Sequence, residues 1–212
     1  MKQKFTVCTL IVISLSLSAC SKETISKKAC NAGKVASCNY LSHIYYQQQN
    51  YTQAFEWAKK AAEKGDTYAQ SCVGFSYEKG KGVTQDYAKA VEWYQKAAQQ
   101  GDINAQNNLG TMYKDGNGVP QDYKQAFELF KKAAQKGEAT AQYNLGIMYI
   151  KGQGVSQDYI EAKKYFIQAE QGFKQKCNSK DKSSCENLTE VKKIIERLDE
   201  IDKITEKIFQ LN

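Results

Sequence analysis

Two short sequences have the spacing of a serine nucleophile and a lysine base: Ser76 with Lys79, and Ser179 with Lys182. In serine acyl-transfer enzymes this Ser-x-x-Lys spacing is accompanied by Ser-Asp-Asn and Lys-Thr-Gly sequences, which complete the site. Neither companion sequence occurs in this chain. Because serine and lysine are both frequent, roughly one or two such matches are expected by chance. We therefore expect no catalytic residue and no enzyme.

The chain offers little for a metal or cofactor site. It has a single histidine, His43, and its seven cysteines include no Cys-x-x-Cys sequence, whereas structural zinc sites need clustered cysteines and histidines. We expect no metal and no cofactor. Four of the cysteines form two pairs with the same spacing of eight residues: Cys30 with Cys38, and Cys177 with Cys185.

The composition indicates a helical protein that does not bind nucleic acid. A hydrophobic content of 42%, 14 tyrosines and a single proline favour packed helices over disorder or a β-barrel. The net charge is +7, but the positive residues are nearly all lysines interspersed with acidic residues. Nucleic-acid binders instead concentrate arginine and lysine along one face. The charges therefore indicate solvated helix surfaces.

The amino terminus reads as a leader, with Lys2 and Lys4 before an apolar stretch over 5–19. It ends in Leu17-Ser18-Ala19-Cys20, which resembles the lipobox of bacterial lipoproteins. That resemblance implies a signal peptide over 1–19 and a lipid on Cys20, the first residue of the mature chain. A polar segment over 20–29 suits a flexible tether. An aspartate after the lipidated cysteine resembles the signal for inner-membrane retention in enteric bacteria. This position is Ser21 here, so the resemblance favours the periplasmic face of the outer membrane.

A 36-residue repeat dominates the rest of the chain. A shift of 36 aligns glycines, alanines, leucines and tyrosines through three units, as in Gly65, Gly101 and Gly137. Apolar residues at helical spacing, a Gly-x-Gly break and an aspartate predict a pair of helices for each unit. A lone pair cannot bury its apolar face, so neighbouring units must stack.

The repeat pattern A-x-x-x-L-G-x-x-Y-x-x-G-x-G-V-x-x-D-Y-x-x-A resembles the Sel1-like repeat family, relatives of tetratricopeptide repeats. The resemblance implies an all-α, α/α solenoid of about four helix-turn-helix units. Three repeats cover 66–172, and a degenerate amino-terminal capping repeat, which lacks the Gly-x-Gly turn, covers 30–65. An extended helix end and a long final helix occupy 173–212. That final helix caps the last repeat or pairs with a second copy or partner, and the oligomeric state stays open.

The family also has a cysteine-rich secreted branch in which pairs of this kind are disulfides that join successive helices. The resemblance implies Cys30–Cys38 and Cys177–Cys185 disulfides, which fits an oxidising compartment. Cys72 is then left over. We interpret it as a partly buried, inert thiol, because nothing in the sequence supplies a base for it.

The first helices of such units line the concave surface of a solenoid. Positions opposite the buried leucines carry large apolar groups, which solvated helices seldom do. We therefore expect a protein or peptide partner, with the membrane reached only through Cys20. The family implies a scaffold for envelope assembly or an immunity protein against a toxic effector; the alternative is a β-lactam-binding or hydrolysing enzyme of the cysteine-rich branch. The predicted groove residues are His43, Tyr46, Tyr68, Phe75, Tyr143, Ile147 and Ile150.

Overall fold

The computed structural model describes residues 22–210, with side chains as far as residue 204. All regular structure in this range is helical, without a strand, which confirms the all-α prediction. The predicted signal peptide and Cys20 lie outside the described residues. The first helix, α1, covers 22–31. The helices that follow it are α2 (Val35–Gln47), α3 (Tyr51–Ala62), α4 (Thr67–Lys79), α5 (Tyr87–Gln99), α6 (Ile103–Asp115), α7 (Tyr123–Gln135), α8 (Ala139–Lys151), α9 (Tyr159–Asn178) and α10 (Lys182–Gln210).

The chain divides into two compact units between Trp93 and Tyr94, inside α5. In unit 1, which ends at Trp93, α2 packs on α3 and α3 packs on α4. In unit 2, which begins at Tyr94, each helix from α6 to α9 packs on the next one along the chain. Consecutive helix pairing within each unit is the solenoid packing that the repeat predicts.

Acidic residues begin the helices at the positions that the repeat indicates. The carboxylate of Asp122 accepts hydrogen bonds from the backbone N–H groups of Lys124 and Gln125, at 2.9 and 3.0 Å. The Asp102 carboxylate likewise accepts from the N–H of Ala105 at 2.7 Å. Such caps satisfy donors that have no partner inside the helix and each stabilise the fold by about 1 kcal/mol.

A glycine in each central repeat lets its two helices approach closely. A Cβ on Gly110 would lie 2.8 Å from the ring of Phe130, and one on Gly146 would lie 2.7 Å from the ring of Phe166. Both phenylalanine rings are fully buried. Glycine at these two positions therefore allows the close contact between the helices of each pair.

The two ends of the chain differ from the central repeats. Residues 22–31 form α1 instead of the flexible tether expected over 20–29. The helix is stabilised by an ion pair between Lys27 and Glu23, 2.7 Å apart and one turn from each other, and by the hydrogen bond that the Tyr45 hydroxyl donates to Glu23. At the other end α9 runs to Asn178, beyond the regular repeat, and α10 packs back on it.

Candidate functional site

Two disulfides fasten the outermost helices. Cys30 in α1 is bonded to Cys38 in α2, and Cys177 in α9 is bonded to Cys185 in α10. Both pairings are those that the sequence resemblance implies. Cys72 on α4 is a half-buried thiol. The disulfides therefore hold α1 and α10, the two helices added outside the regular repeats.

The predicted binding residues of unit 1 lie at its surface. The side chain of Tyr68 is 59% exposed and that of Tyr46 is 43% exposed, and His43 is also exposed. Phe75 lies on the same face of α4 as Tyr68, two turns further on, and is half-buried. His43 contacts Gln47 through its Nε2 atom, at 2.9 Å, so its nearest polar partner is a neighbour on the same helix.

Lys81 joins the aromatic side chains of α2, α3 and α4 into one cluster. Its Nζ atom lies 5.4 Å from the ring centre of Tyr46, 5.1 Å from that of Tyr51 and 5.6 Å from that of Phe75. The same ammonium donates a 3.2 Å hydrogen bond to the Tyr46 hydroxyl, which raises the pKa of Lys81. The Tyr46 and Tyr51 rings meet edge to face, 5.2 Å apart.

The turn between α4 and α5 fixes the backbone of Lys81. Gly80 ends α4 in the left-handed conformation, and the N–H of Lys81 donates to the carbonyl of Ser76 at 3.0 Å. Gly82 has φ +77°, and a Cβ there would lie 2.1 Å from the carbonyl oxygen of Tyr51. Only glycine fits this contact, so the turn packs directly against the start of α3.

Lys81 and Tyr51 were not among the binding residues predicted from the sequence. Lys81 is the middle residue of a Gly-x-Gly turn, where the other repeats have Asn117 and Gln153. The other two repeats have an uncharged amide side chain at this position. The lysine at position 81 was therefore the signal in the sequence that could have identified it. Lys81, Tyr51, Tyr46 and Phe75, together with Tyr68 and His43, are called the unit 1 patch below.

In unit 2, the predicted groove residues pack against α10. The Tyr143 hydroxyl donates a 2.7 Å hydrogen bond to the Glu190 carboxylate, and its ring meets that of Phe166 edge to face. Ile147 and Ile150 are half-buried in a cluster that includes Val191 and Leu198 of α10. The expectation that these three side chains line an open groove is therefore corrected.

The physical reason lies in the arrangement of a solenoid. A face that points away from the helix partner in one repeat still contacts the first helix of the next repeat. Here α10 lies beside α8, where the first helix of a further repeat would lie. Its packing surface on α8 includes Tyr143, Ile147 and Ile150. The contacts favour the capping interpretation of α10 over the open alternative of a coiled coil with another chain.

The two Ser-x-x-Lys sequences are placed differently. Ser179 donates its hydroxyl hydrogen to the carbonyl of Gln175 at 3.3 Å, and the Lys182 side chain points into solvent. Ser76 is half-buried on α4, and Lys79 forms an ion pair with Glu78 at 2.5 Å. Among the described residues, no group of three or more His, Cys, Asp and Glu side chains could hold a metal ion.

None of the helices in the described part of the chain has the length and apolar character needed to cross a membrane.

No curated protein matches the sequence. Several solved structures are similar to it. The structure of c5321, a protective antigen present in uropathogenic Escherichia coli strains that displays an SLR fold, is 36% identical, with a TM-score of 0.67 over 72% of this chain. The match covers 35% of c5321, so this chain spans about a third of that structure.

A Sel1 repeat protein from Oxalobacter formigenes is 29% identical, with a TM-score of 0.63. The match covers 72% of this chain and 68% of that one. The Sel1 repeat family model matches four successive segments, 35–66, 67–102, 103–138 and 139–171. The first of them is the short amino-terminal repeat, and the described helix pairs coincide with all four segments. The chain therefore belongs to the Sel1 repeat family.

Proposed function

We propose that this protein is a lipid-anchored scaffold facing the periplasm that binds a protein or peptide partner through the unit 1 patch. The observation that carries the proposal is the exposure of Tyr46 and Tyr68 beside Phe75 and Lys81. Sel1 repeats generally mediate binding between proteins, and the chain has four of them. Of the groove residues predicted from the sequence, only those in unit 1 belong to the proposed binding surface.

The chemistry of the patch suits a protein ligand. Tyrosine and phenylalanine contribute large contact areas at a low entropic cost, and truncating such anchors typically costs 2 kcal/mol or more of binding energy. A cation held against aromatic rings is itself stabilised and leaves the ring edges available for contact. His43 lies one turn before Tyr46 on α2 and extends the same surface.

The anchoring part of the proposal depends on Cys20. Two or more acyl chains hold a protein on a bilayer stably, whereas a single chain does not. Labelled palmitate should enter the wild-type protein, and Cys20→Ala should release the protein from the membrane fraction. A wild-type protein without label would contradict the anchor and leave the binding patch untouched.

Two roles fit such a scaffold and differ in the partner. An immunity protein would bind an incoming toxic effector, and an assembly factor would bind a resident envelope protein. Bacteria that express the protein should survive the effector in the first case only. The second case predicts a partner present in unchallenged cells.

The patch is tested by paired substitutions. Tyr46→Ser combined with Tyr68→Ser should abolish co-purification of the partner from detergent-solubilised envelopes, while circular dichroism and melting stay near wild type. The matched control is Tyr159→Ser in unit 2, because Tyr159 is 45% exposed and has the same chemistry. A partner that is lost with Tyr159→Ser and kept by the unit 1 double variant would contradict the proposal.

A further inference from the structure

Lys81 differs from Lys27, Lys79 and Lys89 of unit 1 in what surrounds its charge. Lys27, Lys79 and Lys89 each pair with a carboxylate, at 2.7, 2.5 and 3.0 Å. The ammonium of Lys81 instead contacts three aromatic rings and one phenol oxygen. Within the described part of the chain, no carboxylate forms an ion pair with it. Its positive charge is therefore held at the surface against aromatic rings.

The hydrogen bonds of Lys81 leave room for a ligand. An ammonium has three donors, and one of them is used by the Tyr46 hydroxyl at 3.2 Å. The rings hold the side chain in one place, and the turn between Gly80 and Gly82 holds its backbone. An acceptor that approaches Lys81 therefore meets a charge whose position is already fixed, so little side-chain entropy is lost on binding.

From this charge complementarity we propose that the unit 1 patch recognises an acidic segment of its protein partner, with an Asp or Glu carboxylate bound at Lys81 Nζ. The aliphatic part of that acidic side chain and its apolar neighbours pack on Tyr46 and Phe75. This inference rests on the proposed function and specifies the chemistry of the partner. Charge-assisted hydrogen bonds are stronger than neutral ones, and aromatic neighbours exclude water from them.

The test uses two pools of synthetic 12-residue peptides passed over the immobilised full-length protein. The pools are random over residues other than Asp and Glu at every position except the centre, which is Asp or Glu in one pool and Asn or Gln in the other. Retention is quantified by mass spectrometry. We expect the acidic pool to be retained about tenfold better than the amide pool, as one charge-assisted hydrogen bond would give. Raising the salt concentration should reduce that difference.

Variants assign the effect to Lys81. Lys81→Gln should lower retention of the acidic pool to the level of the amide pool, and Lys81→Arg should keep most of it, because the charge remains. The matched control is Lys89→Gln, because Lys89 lies 5.6 Å from the ring of Tyr77 but already pairs with Asp86. That control should retain both pools as the wild type does. Unchanged melting of each variant separates binding from folding.

Three results would overturn the inference, and they separate it from the proposed function. If both pools are retained equally, the acidic segment is wrong. If the preference survives Lys81→Gln, the carboxylate does not bind at Lys81. If Phe75→Ser then still lowers retention of both pools, the patch binds peptides and the proposed function stands. If retention depends on neither Lys81 nor Phe75, both the acidic partner and the unit 1 patch are wrong.

Discussion

The Cα atom of Gly82 lies so close to the main chain of Tyr51 that an ideal Cβ would come within 2.1 Å of the Tyr51 carbonyl oxygen. Gly154 has the same relationship to Tyr123, at 2.3 Å. The contact therefore recurs with the repeat. In both cases the turn that follows the first helix of one repeat lies on the start of the second helix of the preceding repeat. In unit 1 it also positions Lys81 above the ring of Tyr51.

Substituting Gly82 should therefore destabilise the fold more than substituting a glycine that also has a positive φ but has no neighbouring atoms where a Cβ would lie. Gly65 is the matched control, since its φ is +88° and no atom lies within 4 Å of an added Cβ. Gly65→Ala should lower the free energy of unfolding by about 1 kcal/mol, from backbone strain alone. Gly82→Ala should lower it further, measured by urea denaturation. Equal losses would show that the turn moves away from α3 without cost.

The Cys177–Cys185 disulfide should stabilise the carboxyl-terminal end. It closes a short loop, with the two cysteines eight residues apart, so removing it should cost about 2 to 3 kcal/mol. The measurement is urea unfolding of the Cys177→Ser, Cys185→Ser double variant, with Cys72→Ser as the control. Cys72→Ser should change the free energy much less. A double variant as stable as wild type would mean that α10 packs equally well without its covalent link.

Ile147 should matter for stability and not for partner binding. It is half-buried against α9 and α10, so Ile147→Ser removes apolar contacts and should cost about 1 to 2 kcal/mol of unfolding free energy. Ile167→Ser is the control, since Ile167 is exposed and the change should be nearly neutral. Thermal unfolding measures both. An Ile147→Ser variant that melts like wild type but loses its partner would restore the open groove originally expected at this position.

Tyr143 should make the fold sensitive to alkaline pH. Burial, followed by its hydrogen bond to Glu190, raises the pKa of Tyr143 above its ordinary value near 10. The folded state therefore holds the phenol proton more tightly than the unfolded state, so this stabilisation is complete below about pH 10 and is lost as the pH rises further. Tyr143→Phe should show a shallower loss of stability above pH 10. Identical slopes for both proteins would contradict the assignment.

The sequence allowed much of the fold to be predicted because it repeats. Residues recurring every 36 positions located the helix pairs and the aspartates that begin helices, such as Asp122. The disulfides followed from family resemblance and are confirmed. The helix over 22–31 was missed because part of what stabilises it, the hydrogen bond of Tyr45 to Glu23, joins residues 22 positions apart.

The candidate site was predicted less well for a similar reason. Helical phase separates a helix's own core face from the opposite face, but it does not say which neighbour covers the opposite face. Tyr46 and Tyr68 stay exposed, whereas Tyr143 and Ile147 lie against α10. The position of Lys81 depends on a turn whose contact with Tyr51 is invisible in a linear pattern.

The central claim, that a partner binds at the unit 1 patch, is tested most directly by site-specific photo-crosslinking in living cells. Benzoylphenylalanine would replace Tyr68 in one strain and Tyr159 in another, since both tyrosines are exposed and lie in different units. Illumination should give one discrete crosslinked species from position 68, lost when Phe75→Ser is added, and none from position 159. A crosslinked species from position 159 alone, or one from position 68 that persists with Phe75→Ser, would contradict the account.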